Sequence, residues 1–543
     1  MGNKAKSNRK LLGTIVKVLI GLVALPVAAV LVYAAICGFS MWINVSASKS
    51  VNASEIQPAP YGITVASDDE ILGNIREIVS NGPRVSGTPA SIRVSEFVRD
   101  SFVSSGLQRV AFETADTKVW STSRVEVIVD GQKVPCGPIR HTFHHQVPAK
   151  FDTGPEGLTA DMVYVGHGSK NDYANNDVRG KIVVARVGFS GFPTFLMRPL
   201  VLGVQDSGKT FGIDYIFKDP YSGSDFPGGY RRAMQGGAAA FVGILEDNFE
   251  SNQYNNESYD AYDPGKAWTI PGIWLSPANG NALEKKIRAS AAPLKMTIYF
   301  EGELKSAQAR GVVGYLPGKS DEIILIESHY DSDTPGAVED ASGTAEVLAL
   351  ARYFGQVPAA NRGRTLMFAM MDTHFTNYEV HKAFANRHIK AGNPLKERVL
   401  AVVSVEHIGN EFVRGPDGQP VSTGLVVPHV LLVSDEVKGL ADVAIGAMRK
   451  YGLERTFVIS TSFMQLVGGG PGLPADTSDL IRAGAPVVSL VGAPMYLYDA
   501  TDTVDKVAVG DLHRVACVFV DVIFRLSELP TENFVVLPFT GDF

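Results

Sequence analysis

The chain has 543 residues, of which 45% are hydrophobic and 20% charged, with a formal net charge of −7 and a pI near 5.9. That length exceeds one ordinary hydrophobic core and predicts two or three folded units, while the composition excludes a disordered chain. No long basic tract offsets the acidic balance, so an electrostatic footprint for nucleic acid is excluded.

The N-terminus is distinct in kind. "VLIGLVALPVAAVLVYAAICGFSMW", residues 18–42, runs for 25 residues without a charge, enough to cross roughly 30 Å of hydrocarbon as a helix. Lys4, Lys6, Arg9, Lys10 and Lys17 precede it, and no Lys or Arg follows before Lys49. The positive-inside rule then predicts a single-pass membrane protein, with residues 1–17 as a cytoplasmic tail and the large domain extracytoplasmic. A cleaved signal peptide is the rival reading, but its apolar core usually spans only about 7 to 15 residues. Residues 43–64 are polar and proline-bearing, as a stalk should be. Of three cysteines, Cys37 lies within the expected span, so Cys136 and Cys517 allow at most one disulfide and the fold must rest on its core.

Beyond Asp68, "DEILGNIREIVSNGPRVSGTPASIRVSEFVRDSFVSSGL" predicts helix, Gly/Pro/Ser loop, helix. Residues 118–150 are strand-rich in pattern. The texture then changes: "ADMVYVG", "GKIVVARV" and "AAAFVGIL" are short strand-like runs between Gly, Asn, Asp and Pro clusters, which predicts a β-rich insert. His141, His144 and His145 in "RHTFHHQ" lack other ligand types nearby and read as surface or packing residues.

From Gly311 onward strands and helices alternate. "DEIILIESHYD", "RTLMFAMMD", "VLAVVSVEH", "HVLLVSD" and "APVVSLVG" read as strands. Helices intervene, among them "SGTAEVLALARYF" with Ser342 as its cap, and "VGDLHRVACVFVDVIFRLSEL". Such alternation predicts an α/β fold with a mixed, largely parallel sheet flanked by helices and with ligands at the strands' carboxyl ends. His329, Asp372 and Glu406 all fall at those ends. "SHYDSDTPGAVEDASG", residues 328–343, also places an imidazole and several carboxylates just before a helix. Those groups suit a zinc-class ion, and equally an acidic helix cap.

"ESHYDSDTPGAVEDASGTAEVLALAR", with the "GPRVSGTPA" start and the "YDATDTVDKV" tail, resembles the M28 aminopeptidases over about residues 65–530. "YVGHGSKNDYANNDVRGKIVVARVG", "GGYRRAMQGGAAAFVGIL" and "TIPGIWLSPANGNAL" resemble the protease-associated (PA) domain, a β-rich cover or recognition module. The resemblance implies an M28-like domain at 65–150 and 306–535 around a PA-like insert at 151–305. This architecture is like that of glutamate carboxypeptidase II and the transferrin receptor, one catalytic and the other not.

In M28 enzymes two zinc ions share a bridging aspartate. His329 matches the family's first histidine and Asp331 the acid that orients the site; Glu339 takes the bridging position and Glu406 a later aspartate's, each one methylene longer. Where the family has a Glu-Glu pair, general base then ligand, this chain has His374 and Phe375, and the late histidine is replaced by Tyr498. Phenylalanine cannot coordinate zinc, and a phenol with a pKa near about 10 is a poor ligand.

The resemblance therefore implies one zinc ion on His329, Glu339 and Glu406, with His374 as general base and Tyr498 on the oxyanion. Asp340 and Asp372 would stand behind the ligands and fix histidine tautomers, while His407 would face away into packing. The expected function is a membrane-anchored hydrolase of peptide or amide bonds; PA-containing relatives include dimers, which leaves a homodimer open. The alternative is an M28-fold ectodomain that lost its chemistry and serves as a binding or scaffold module. A single-zinc cyclising enzyme like glutaminyl cyclase fits less well, since its ion uses the ligand set missing here.

Overall fold

The computed structural model describes residues 30–36, 47–52, 56, 60–140, 142, 149–223, 225–255, 267–390, 398–468 and 476–535. The histidines of "RHTFHHQ" and most of the expected membrane span lie outside these residues, and among the described residues no helix is long and apolar enough to cross a membrane. Cys136 and Cys517 form no disulfide.

The two predicted N-terminal helices are present at Asp68–Val79 and Pro89–Ser104. A capping box starts the first, the Ser67 hydroxyl accepting from the Glu70 amide while the Glu70 carboxylate accepts from the Ser67 amide. Thr88 caps the second, with proline in its first turn.

The central sheet is built as the apolar runs predict. Ile323–His329 pairs in parallel with Thr365–Met371 on one side and Val399–Val405 on the other, and Val399–Val405 continues in parallel to Val487–Gly492. Every residue of these four strands is buried, which is why they read as continuous apolar runs rather than as alternation. Helices Ser342–Gly355, Leu440–Tyr451 and Val509–Glu528 cover the sheet. The helix expected to be capped by Ser342 begins there instead; the Ser342 hydroxyl donates to the Val338 carbonyl and accepts from the Ile408 amide, tying two loops together.

Two features were not visible in the sequence. Gln108–Val129 and Lys295–Leu316 form one long antiparallel pair that carries the chain from the central sheet into the β-rich region. That region has its own core of residues such as Trp120, Val184, Val242, Trp274's neighbour Ile273, and Phe300. Within the expected insert, Val201–Gln205 leaves this core and adds to the far edge of the central sheet, antiparallel to Thr456–Ser460. The insert is therefore not a self-contained stretch of 151–305.

Gly343 lets the start of helix Ser342–Gly355 touch the end of a strand: a Cβ there would collide with the Val405 carbonyl oxygen and the Asp340 carboxylate. Gly343→Ala is expected to cost roughly 2–4 kcal/mol, read from denaturant unfolding. His429, the first residue of strand His429–Val433, is fully buried with neither ring nitrogen hydrogen-bonded among the described residues, and burial pushes its pKa down to about 4. An unfolded histidine titrates near about 6.5, so the unfolded chain binds the extra proton and stability falls as pH drops from 6.5 towards 4. His429→Leu should remove about 3 kcal/mol of that acid-induced loss, measured by comparing unfolding free energies at neutral and acid pH.

Candidate metal centre

The loop between strand Ile323–His329 and helix Ser342–Gly355 is held by groups distant in sequence. Arg84, from the "GPRVSGTPA" segment, is fully buried and donates to the carbonyls of Tyr330 at 2.6 Å, Pro335 at 2.7 Å and Gly336 at 2.9 Å. Asp502 accepts from the amides of Val338 and Glu339, both at 2.9 Å. Asp340 accepts from the Gly343 amide at 2.9 Å, the His407 amide at 3.1 Å and the Ser328 hydroxyl at 2.6 Å. Between these anchors the Glu339 carboxylate has one direction left, into a pocket at the strand ends.

Three imidazoles and a second carboxylate meet it there. Glu339 Oε1 lies 3.3 Å from His329 Nε2 and 3.5 Å from His374 Nε2, and Glu339 Oε2 lies 2.7 Å from His407 Nε2. Asp476 Oδ2 lies 3.5 Å from His329 Nε2, and Asp476 Oδ1 lies 2.8 Å from His374 Nδ1. The rings of His329 and His374 stack at 4.1 Å. Two triads result whose ligand atoms lie within 4.8 Å of one another: His329, Glu339 and His407, and His329, His374 and Asp476.

The donor set fits a zinc-class ion. His329 Nδ1 faces Asp331 Oδ1 at 3.3 Å, and His407 Nδ1 faces the Gly492 carbonyl at 2.8 Å. A neutral imidazole that donates through Nδ1 presents only a lone pair at Nε2. The two Nε2 atoms face the oxygens of one buried carboxylate: as imidazoliums the rings pair with Glu339 directly, and as neutral Nδ1–H tautomers they present lone pairs that a cation would bridge. Among the described residues, His329 Nε2, His407 Nε2 and both Glu339 oxygens find no partner outside the cluster itself. A carboxylate or carbonyl behind a ligating histidine is the usual support for such a metal ligand.

The charged groups of the cluster stabilise one another. Burial alone would raise the Glu339 carboxyl, yet His407, His329 and His374 hold it well below the usual carboxylate range. Burial would likewise raise Asp476, but His374 and His329 hold it down. Conversely, burial works against a charged His407, but Glu339 and Asp340 lift its pKa to about 10. Around this centre Glu327 is pushed up to about 8 and Asp372 and Asp502 to about 7, chiefly by burial. The pocket carries more carboxylate than its single guanidinium, Arg84, can neutralise.

Of the residues singled out in the sequence, His329, Glu339 and His374 converge, and Asp331 stands behind His329, also accepting from the Ser86 hydroxyl and the Phe375 amide at 3.2 Å each. Glu406 does not join them. Its carboxylate accepts from the hydroxyls of Ser404 at 3.1 Å and Ser489 at 3.4 Å, and burial, with Asp476 nearby, raises its pKa so that it stays protonated. The expectation that Glu406 faces the ion and His407 turns away is reversed. Strand Val399–Val405 ends before both, and His407 takes a left-handed φ of 60°, so the two-residue alternation of a strand no longer applies.

Asp340 and Asp372 are corrected too. Asp340 binds backbone amides and hydroxyls as described, and Asp372 accepts from the Tyr330 hydroxyl at 3.0 Å, the Ser91 hydroxyl at 3.2 Å and the Arg310 amide at 3.2 Å. They brace the loops, not the imidazoles. Tyr498 packs its ring among Phe375, Tyr221 and Tyr254. Phe375 itself stands edge-on to His374 at 4.9 Å and closes one wall. Asp476 and buried His381, whose pKa burial pushes down to about 3, were missed. The one signal for Asp476 was an acidic "ADTSDL" ahead of the "APVVSLVG" strand.

Comparison with known proteins finds a partial family match and likenesses of fold. Peptidase family M28 matches over residues 311–411. The glutamate carboxypeptidase 2 homolog of Caenorhabditis elegans is 21% identical over 445 residues, covering 69% of this chain and 56% of the relative. The chain thus spans about half the length of the curated relatives it matches. Among solved structures, the peptidase M28 precursor from Shewanella amazonensis superposes with a TM-score of 0.59 at 17% identity, over 87% of this chain and 100% of that one. A zinc aminopeptidase from Bacillus subtilis gives 0.58 at 14%, over 86% and 98%. At such identities the likeness is one of fold. Residues 311–411, the stretch that matches peptidase family M28, supply His329, Glu339, His374 and His407.

Proposed function

We propose that the chain is a metal-dependent hydrolase of the M28 peptidase class that acts on peptide or amide bonds with one zinc-class ion held by His329, Glu339 and His407. The observation that carries the reading is the convergence of His329 Nε2 and His407 Nε2, at 3.3 Å and 2.7 Å, on the two oxygens of Glu339. Two histidines and a glutamate with an open fourth position form the ligand count of catalytic zinc. Such an ion, when bound, lowers the pKa of a water to about 7 and polarises a carbonyl.

The chain's own groups supply the proton traffic. His374, held through Nδ1 by Asp476 at 2.8 Å, takes the proton of the attacking water, and Asp476 stabilises the imidazolium that forms. The pair replaces the family's base, a single glutamate. The Tyr498 hydroxyl is assigned to the oxyanion. Phe375 fills the wall where a second ion's glutamate would stand, which supports a count of one. The N-terminal run of residues 18–42 is read as the anchor, with the domain outside.

One observation favours the alternative of a binding or scaffold ectodomain: no side chain of the cluster is more than 3% exposed. Metal analysis of the purified full chain separates the readings. About one zinc per chain is expected, falling to background in His329→Ala and His407→Ala. With a panel of aminoacyl and N-acyl amides, His374→Ala should lower kcat by about 10²–10⁴ while zinc content holds. A chain that binds no zinc and hydrolyses none of the panel is the scaffold.

A further inference from the structure

Most of the large apolar side chains exposed among the described residues fall in two segments. The first is the helical turn of residues 30–36, with Val30, Leu31, Val32 and Ile36 exposed. The second runs from strand Phe189–Pro193 through the 3₁₀ turn Thr194–Leu200 and edge strand Val201–Gln205 to strand Ile216–Gly223. It exposes Phe192, Leu196, Leu200, Leu202, Ile213 and Ile216, with Ile213 at 67%.

The second segment is two-sided. Val201, Val204 and Phe211 face inward to the central core, with Phe211 against Phe457. Of its four charged residues between Phe192 and Ile216, Arg198 and Asp206 are buried and only Lys209 and Asp214 are exposed. The outward apolar side chains therefore contribute nothing to the core, and an exposed apolar patch of this kind marks a contact surface.

The two segments meet. The Tyr33 hydroxyl donates to the Leu196 carbonyl at 2.6 Å. Further along, the Ser48 hydroxyl donates to the Val204 carbonyl at 3.2 Å and accepts from the Asp206 amide at 3.1 Å, and Gln205 Nε2 donates to the Lys49 carbonyl at 2.7 Å. Residues 30–36 belong to the charge-free run 18–42, so the apolar face of 192–216 is fixed beside it at both ends of the connection.

We infer that the face formed by residues 192–216 rests in the lipid bilayer, its apolar side chains at the boundary of headgroups and acyl chains. This rests on reading residues 18–42 as a membrane span. Lipid fits better than a second protein copy because the adjoining Val30–Ile36 side chains are apolar, exposed and continuous with that run. A domain so seated has one edge of its central sheet fixed against the membrane.

The test uses the full chain reconstituted in phosphatidylcholine vesicles with brominated acyl chains. Ile213→Trp is compared with Val421→Trp, an exposed apolar position on the separate Asn410–Arg414/Pro420–Val426 hairpin. The emission added at position 213 is expected to be quenched by about twofold or more and that at 421 to be unaffected, as for side chains about 5–10 Å into the interface versus in water. Equal emission at both positions in vesicles that retain the chain overturns the inference and leaves the anchor standing. A chain that does not float with the vesicles overturns the anchor and the inference together. If the chain is a dimer in detergent and Leu196→Glu with Ile216→Glu makes it a monomer, a second copy occupies the face and the inference fails.

Discussion

Negative charge buried at the ends of the central strands is the constraint around which the molecule is arranged. Glu339 and Asp476 are ionised in a pocket without solvent, with Asp331, Asp340, Asp372 and Asp502 close behind. Isolated buried carboxylates are costly enough that they neutralise or find partners, and both responses occur here. Burial raises the Glu327 and Glu406 carboxyls, while the histidines around Glu339 and Asp476 hold those two down. Arg84 supplies a permanent cation, and its donors also hold the loop that aims Glu339.

The same constraint bears on the two acids that read as lengthened against the M28 pattern. The Glu339 carboxylate reaches into the pocket, where His407 meets one of its oxygens at 2.7 Å. Glu406, the other lengthened acid, folds back onto Ser404 and Ser489 instead. What looks in sequence like two matched changes is therefore two different outcomes. On the far side, Phe375 presents an apolar wall to His374, and Asp476 pairs with His374 beside it. The centre has its own internal charge balance.

The architecture places this centre at one end of the sheet while an apolar face lies at the sheet's edge. The strand Val201–Gln205 that forms this edge leaves the β-rich region to pair with Thr456–Ser460, and that excursion brings Leu196 and Leu202 to the surface beside the N-terminal segment. One stretch of chain thus closes the core inward through Val204 and Phe211 and offers apolar side chains outward.

The sequence by itself determined the parallel strands, the helices that cover them and the positions of His329, Asp331 and Glu339. Each depends on local signals: continuous apolar runs buried on both faces, capping residues, and a histidine and carboxylates packed into sixteen residues before a helix. The tertiary structure alone decided that His407 and not Glu406 enters the centre, because a left-handed residue past a strand end cancels the alternation on which the sequence reading relied. It alone brought Asp476 to His374 and Arg84 to the Glu339 loop, since neither pairing is encoded by spacing along the chain. Charge compensation in a dry pocket is settled by which groups the fold brings within a few ångströms, and that is a property of the packed chain, not of any segment of it.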